Sequence, residues 1–447
     1  MNKQPNIVFV FADQLRLQSL AYTGDPNIET PNIDSLASEG VNCVNALSGT
    51  PVCSPYRASL MTGQYPLTHG VFVNDVQLKP QGPCIADAFK SNGYDTAYIG
   101  KWHIHGNGRS NPISKEDQLG FDYWKVLECT HDYNNSPYYE GDSKEKKYWE
   151  GYDAEAQTKD AINYINSRTD EDKPFFLMLS WGTPHNPYET APEKFRAKFA
   201  NKDIVLRPNV PAKFAEQAKE DLRGYYSHIA AIDEYIGQLR DTIKSAKFAE
   251  NTIFVFTSDH GDMLYSQGEC RKQRPWAESI DIPLLIEWPA KEINGPRDGL
   301  INAPDIMPTL LGLCDLEIPE SVEGRDFSKH IFGAADDIEE AVLLSCPHTF
   351  GEWTKDIGGR EYRGVKTKQY TYIRDLNGPW LLFDNIADPY QQNNLINSAK
   401  FADIQCSLEA KLQKLLTKSN DDFLPGMEYI DKWQYIVSEN GTVPFKM

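Results

Sequence analysis

The sequence predicts an α/β fold: a large mainly parallel sheet flanked by helices on both faces, with a smaller C-terminal α+β subdomain built on an antiparallel sheet. Three observations carry the prediction. Continuous apolar runs rich in β-branched and aromatic residues recur before residue 290, and such runs mark strands buried on both faces. Helix-like patterns lie between them, as crossovers between parallel strands require. Beyond residue 338 the texture turns to short segments that read as antiparallel strands followed by a helix.

Taken in order, NIVFVFA (residues 6–12) is the first strand, and IDSLASEG (33–40) and IADAFKSNG (85–93) read as helices. YDTAYIG (94–100) and PFFLMLSW (174–181) are strands, and residues 216–247 form a long helix that leads to the strands TIFVFTSD (252–259) and PLLIEW (283–288). AVLLSCP (341–347), REYRGVKTKQYTYIRD (360–375) and WLLFDN (380–385) supply the C-terminal strands, with a helix over 403–417. The expected division is a main domain over 1–337 and a subdomain over 338–447. Residues 131–152, polar and aromatic, read as a long surface loop.

The chain of 447 residues carries a formal net charge of −19, which argues against nucleic acid or an anionic membrane as partner, because both demand a basic footprint. Its eight cysteines (Cys43, Cys53, Cys84, Cys129, Cys270, Cys314, Cys346 and Cys406) are scattered, with no CxxC pair and no zinc-like spacing, so mostly free thiols are expected. The apolar run at 7–12 is stopped by Asp13 and is too short for a signal-peptide core, and no run elsewhere could span a bilayer. A soluble, cytoplasmic protein is expected.

The residues with chemistry gather just past strand ends, where open α/β sheets place their ligands. Asp13-Gln14 follows the first strand and Asp259-His260 a later one. Each pair alone reads as a turn or a helix cap; together, at one sheet edge, they suggest a divalent cation site. Oxygen donors favour calcium or magnesium, and His260 also suits manganese. Lys101 and His103 in IGKWHIHG, His185 in WGTPHNPY and Lys272 in CRKQRPWAES would concentrate positive charge at the same edge, enough to hold an anion in an acidic protein. Cys53 in PVCSPYRASLMTG reads by itself as a buried, inert thiol. Its context differs, since Pro51 and Pro55 constrain the backbone and Arg57 would depress the thiol pKa if it lay close.

Cys53-Ser54-Pro55-Tyr56-Arg57, continued to Gly63, resembles the C-x-P-x-R signature of type I sulfatases in the alkaline phosphatase superfamily. The resemblance extends in family order through NIVFVFADQ, TPNIDSLASEGVNCVNA, GYDTAYIGKWHIHG, TPHNPY, FTSDHGDM, KQRPWAESIDIPLLI, RGVKTKQYTYI and LFDNIADPYQQNNL. It implies that a formylglycine-generating maturation enzyme converts Cys53 to formylglycine (3-oxoalanine), whose hydrated aldehyde attacks sulfur and then collapses to expel sulfate, where a serine would need a second attack. It further implies one divalent cation, Ca2+ first and Mg2+ or Mn2+ as alternatives, on Asp13, Gln14, Asp259, His260 and the modified Cys53. Arg57 and Lys101 would orient the hydrate, and His103 would take its proton. His185 and Lys272 would bind sulfate oxygens, with either one protonating the leaving oxygen.

Many sulfatases carry two aspartates where this chain has Asp13-Gln14, which leaves one negative charge fewer. The activity implied is hydrolysis of an organic sulfate ester, first a sulfated mono- or oligosaccharide, by residues 1–337 with the subdomain over 338–447 contributing to the substrate pocket. The alternative is a phosphonate or phosphate monoester hydrolase of the same superfamily. A catalytically silent binding protein with unmodified Cys53 comes third. Asn74, Asp75, His105, Trp353, Arg360, Trp380 and the loop 131–152 are candidate substrate contacts, because aromatic residues with polar neighbours suit a sugar.

Overall fold

The computed structural model describes residues 4–334 and 341–446, so the domain boundary expected at 337/338 lies outside the described residues. Among the described residues, fourteen strands form two sheets: β1 (Asn6–Asp13), β2 (Val41–Leu47), β3 (Asp95–Lys101), β4 (Tyr123–Leu127), β5 (Pro137–Glu140), β6 (Lys147–Tyr148), β7 (Phe175–Pro184), β8 (Thr252–Ser258), β9 (Leu284–Glu287), β10 (Gly295–Asn302), β11 (Val342–Cys346), β12 (Tyr362–Lys366), β13 (Tyr370–Asp375) and β14 (Gly378–Asp384). The ten-stranded sheet runs β10-β2-β9-β8-β1-β7-β3-β4-β5-β6. Its centre is parallel, with β1 between β7 and β8, and β3 between β7 and β4.

The apolar runs are legible because they are buried twice over. Along β1, Ile7, Phe9 and Phe11 join the core on one face of the sheet, while Val8, Val10 and Ala12 join the core on the other. The first face is covered by the helices Cys53–Thr62, Ile85–Ser91 and Ala303–Leu313, and the second by Pro31–Glu39, Asp153–Asn166 and Ala215–Ser245. Each large apolar side chain so buried contributes roughly 1.5–3 kcal/mol relative to exposure.

Within this mainly parallel sheet the run PLLIEW contains β9, which lies antiparallel to both β8 and β2; composition reports burial on two faces, whereas direction depends on the connection. One expectation is corrected. Residues 131–152 are not a loop throughout: β5 and β6 lie within them and extend the large sheet, and Tyr133, Tyr139 and Trp149 are buried beneath.

The second sheet, β11-β12-β13-β14, is antiparallel. Helix Ala402–Lys418 covers one face through Leu408, Leu412 and Leu416, spaced one helical turn apart. The opposite face packs Leu344, Tyr362 and Ile373 against Leu47, Ile280 and Leu300 of the large layer. No helix among the described residues is long and apolar enough to cross a membrane.

Candidate active site

Because β8, β1, β7 and β3 are parallel neighbours, their C-terminal ends share one edge. That register brings together residues far apart in sequence. Asp13 ends β1, Lys101 ends β3, and His185 and Asp259 follow β7 and β8 directly. Helix Cys53–Thr62 begins at this edge on Cys53. Its N-cap, Val52, has no side-chain acceptor; instead Asn74 Oδ1 accepts from Ser54 N at 3.1 Å, and Ser54 Oγ donates to the His103 carbonyl at 2.6 Å. Two other segments therefore fix the first turn.

Asp13, Cys53, Asp259 and His260 form one buried group whose ligand atoms lie within 4.8 Å of one another. Cys53 Sγ is 3.2 Å from His260 Nε2 and 3.6 Å from Asp13 Oδ1. His260 Nδ1 lies 2.9 Å from the Gly261 carbonyl, which can only accept, so Nδ1 carries the proton and the Nε2 lone pair faces the group. Gly261 is required by close approach: a Cβ there would meet the Glu278 carbonyl oxygen at 2.0 Å. Two carboxylates and an imidazole nitrogen are a donor set for a divalent cation. Gln14 Oε1 accepts from Lys272 Nζ at 2.9 Å, and Gln14 Nε2 donates to Asp262 Oδ2 at 2.7 Å; an amide oxygen has a second lone pair to offer a cation.

Arg57 is wholly buried and spends its donors on the frame of the site. It reaches Asp13 at 3.0 Å, Asp259 at 3.2 Å, Ser180 Oγ at 2.8 Å and the Lys101 carbonyl at 2.9 Å. The lowered thiol pKa expected from Arg57 therefore does not arise. Burial, with Asp13 adding to it, pushes the Cys53 thiol up to about 12, against Lys101 and Lys272. An unmodified Cys53 is protonated at neutral pH and is a poor nucleophile. Burial alone would raise the Asp13 carboxyl, but Lys101, at 2.6 Å, with His185, Arg57 and His260 holds it well below the ordinary carboxylate range.

His185 Nδ1 lies 2.8 Å from the Asn186 carbonyl, so it donates there, and Nε2 accepts from Lys272 Nζ at 2.6 Å. Burial and then Lys272 keep His185 well below its ordinary pKa, which leaves the neutral ring beside a charged ammonium. His103 adopts a left-handed backbone, φ 60°, a conformation that costs a non-glycine residue on the order of 1–3 kcal/mol. Both its ring nitrogens are buried without a hydrogen-bond partner among the described residues, and burial followed by Lys101 lowers it to about 3.

The expected substrate contacts fare differently. Asn74 is used in anchoring the Cys53 helix, and Asp75 is held by both Arg109 donors at 2.8 Å, 3.6 Å from His103 Nε2. His105 N donates to Glu128 Oε1 at 2.8 Å, and its Nε2 lies 3.2 Å from Asp117 Oδ2. Trp353 is a correction: it is 1 % exposed and packs in the C-terminal core, so it presents no face to a ligand. Arg360 stays at the surface, paired with Asp375 at 2.8 Å and 4.6 Å from the Trp380 ring centre. Sequence reasoning singled out neither Asp262 nor Glu352, and reached His131 only as part of the loop 131–152. Asp262 lay inside FTSDHGDM. His131 stacks on His185 with ring centres 4.6 Å apart. Glu352 comes from the second sheet's β11–β12 loop to within 3.4 Å of Lys272.

A parallel sheet edge carrying a buried Asp–Cys–Asp–His group beside three cations is the architecture of metal-dependent ester hydrolases in the alkaline phosphatase superfamily. The chain belongs to the sulfatase family: the Sulfatase family model matches residues 5–316, and the model for the C-terminal part of N-sulphoglucosamine sulphohydrolase matches residues 268–418. It is a type I sulfatase, a hydrolase of sulfuric ester bonds. An ulvan-active sulfatase of Formosa agariphila is 44% identical over 445 residues, covering 98% of this chain and 86% of that protein. A solved structure from glycosaminoglycan metabolism in Bacteroides thetaiotaomicron superposes with a TM-score of 0.86 at 30% identity, covering 99% of this chain and 100% of the other. A phosphonate monoester hydrolase of Agrobacterium radiobacter shares the fold, with a TM-score of 0.78 at 21% identity over 93% of this chain and 96% of its own.

Proposed function

We propose that this sulfatase hydrolyses the sulfate ester of a sulfated mono- or oligosaccharide, with a divalent cation held by Asp13, Gln14, Asp259 and His260 and with Cys53 oxidised to formylglycine. The buried Asp13–Cys53–Asp259–His260 group carries the reading. Two further observations fit it. The Cys53 thiol, pushed up to about 12, is unsuited to attack as it stands. The ring of His103 is buried at the site with no hydrogen bond made by either nitrogen among the described residues, its nearest acidic neighbour being Asp75 at 3.6 Å. When present, the cation supplies Lewis acidity and the hydrated aldehyde supplies the attacking hydroxyl.

The chain's own residues do the rest. Arg57 and Lys101 keep the Asp13 carboxylate ionised, and Arg57 holds Asp259 in place beside it. Lys101 Nζ, 3.9 Å from Cys53 Sγ, is close enough to orient what stands at residue 53. His103, kept neutral by burial and Lys101 and facing Asp75 at 3.6 Å, is placed to take a proton. His185 has its own proton committed to the Asn186 carbonyl, so we assign protonation of the leaving oxygen to Lys272. Calcium is the cation we assign, because the carboxylates and the Gln14 amide supply hard oxygens.

The saccharide assignment draws on the ulvan-active and glycosaminoglycan relatives. A panel of sulfated sugars, aryl sulfates, and phosphate and phosphonate esters tests it, with the formylglycine content of the same preparation measured by peptide mass. Turnover of a sulfated sugar by enzyme carrying formylglycine is expected. Turnover only of phosphorus esters, or a fully active Cys53→Ala variant, would sink it.

A further inference from the structure

Lys272 has more neighbours than a substrate needs. Its ammonium, 5 % exposed, donates to Gln14 Oε1 at 2.9 Å and to His185 Nε2 at 2.6 Å, and Glu352 Oε2 lies 3.4 Å away. An ammonium has three N–H bonds; two are committed to Gln14 and His185, and the Glu352 carboxylate stands 3.4 Å away, where an arriving anion would meet the charge. Gln14 and His185 are held from behind, Gln14 by Asp262 at 2.7 Å and His185 by the Asn186 carbonyl at 2.8 Å. Glu352 differs. It is 36 % exposed, and its other oxygen lies 3.6 Å from Arg271 Nε, so it can leave Lys272 and keep a counter-charge. Its backbone is fixed: Arg274 Nη2 donates to the Glu352 carbonyl at 3.0 Å, and Gln273 Nε2 donates to the Phe350 carbonyl at 3.0 Å. Only the side chain has to move.

We propose that Glu352 is a specificity-determining residue, which occupies the anion position on Lys272 until a sulfate ester displaces it and, from beside Arg271, disfavours esters bearing a second negative charge. The proposal rests on the sulfate-ester reading above. A sulfate monoester carries one negative charge, whereas a phosphate monoester carries mostly two at pH 8. Gln14, where many sulfatases have a second aspartate, removes one negative charge from the cation's side; Glu352 restores one on the far side of Lys272, facing the substrate. Like charges near a protein surface, even with the Arg271 counter-charge beside one of them, repel enough to separate mono- from dianion by about tenfold.

The test compares kcat/KM for the sulfate and phosphate esters of one alcohol, 4-nitrophenol or the sugar that the panel identifies, at pH 8 in the full chain with formylglycine content verified. Glu352→Gln and Glu352→Ala should each raise the phosphate-to-sulfate ratio by about tenfold, and Glu352→Asp, which keeps the charge, should retain the wild-type ratio. A ratio within about twofold of wild type in both charge-removing variants overturns the proposal, whether both rates fall together or phosphate turnover stays undetectable. A wild-type enzyme that turns over no sulfate ester defeats the sulfatase reading instead, so the two failures are distinguishable.

Discussion

Lys272 and His185 sit 2.6 Å apart, and the division of labour between them follows from what lies behind the imidazole. With Nδ1 committed to the Asn186 carbonyl, Nε2 is an acceptor, and the transferable proton belongs to the ammonium. His131, stacked on the far face of the His185 ring at 4.6 Å, fixes the plane in which that acceptor points. This predicts a dependence on the leaving group. A sugar alkoxide leaves poorly without a proton, whereas 4-nitrophenolate leaves readily. Lys272→Ala should therefore lower kcat/KM by about 10²–10⁴-fold for a sugar sulfate, and by clearly less for 4-nitrophenyl sulfate. Equal losses on both esters would show that Lys272 only binds the anion.

At the scale of elements, helix Asp153–Asn166 starts on a buried carboxylate. Asp153 is 2 % exposed and its Oδ1 has no hydrogen-bond partner among the described residues. Burial, with Asp132 adding to it, pushes its pKa up to about 7 against the opposing hydrogen bonds of Ser136 and Ala154. The folded value lies above the unfolded one of 3.8, so the folded chain holds the proton longer and loses stability as pH rises from the unfolded value to the folded one. Asp153→Asn should then stabilise the protein by up to a few kcal/mol more at pH 8 than at pH 5, measured by denaturant or thermal unfolding. An equal effect at both values would show that the folded chain does not raise the Asp153 pKa. Such a site was not legible in the sequence, where GYDAEAQ reads as an ordinary helix start. The strands were legible, because β1, β7 and β8 are apolar along their length. So were the strand-end residues Asp13, Lys101, His185 and Asp259, because parallel neighbours must end together. What sequence could not supply was register between distant segments: that Asn74 would serve the Cys53 helix, that Trp353 would turn inward, and that Glu352, from the other sheet, would reach Lys272.

At the scale of the molecule, the last residues join the two sheets across the rim of the site. Tyr435 OH donates to the Gly70 carbonyl at 2.9 Å, and Trp433 packs against Gly70 so closely that a Cβ there would meet the indole at 2.4 Å. Further on, Gly351 N donates to Thr442 Oγ1 at 2.9 Å, one residue from Glu352. Arg109 N donates to the Lys446 carbonyl at 2.8 Å, and its guanidinium lies 3.5 Å from the centre of the Phe445 ring. That guanidinium holds Asp75, and Asp75 faces His103. The terminal segment thus braces the Glu352 loop on one side and the Arg109–Asp75–His103 relay on the other. Removing residues 439–447 leaves most of both sheets' cores in place, but it takes one brace from Arg109 and one from the loop together. The expected outcome is a drop in Tm of only a few degrees, as about 1 kcal/mol would cause, with kcat/KM reduced by about tenfold. Phe445→Ala, which removes the stacking partner alone, should give part of that loss. Truncated enzyme with normal formylglycine content and unchanged kcat/KM would show that the segment covers the site without positioning it.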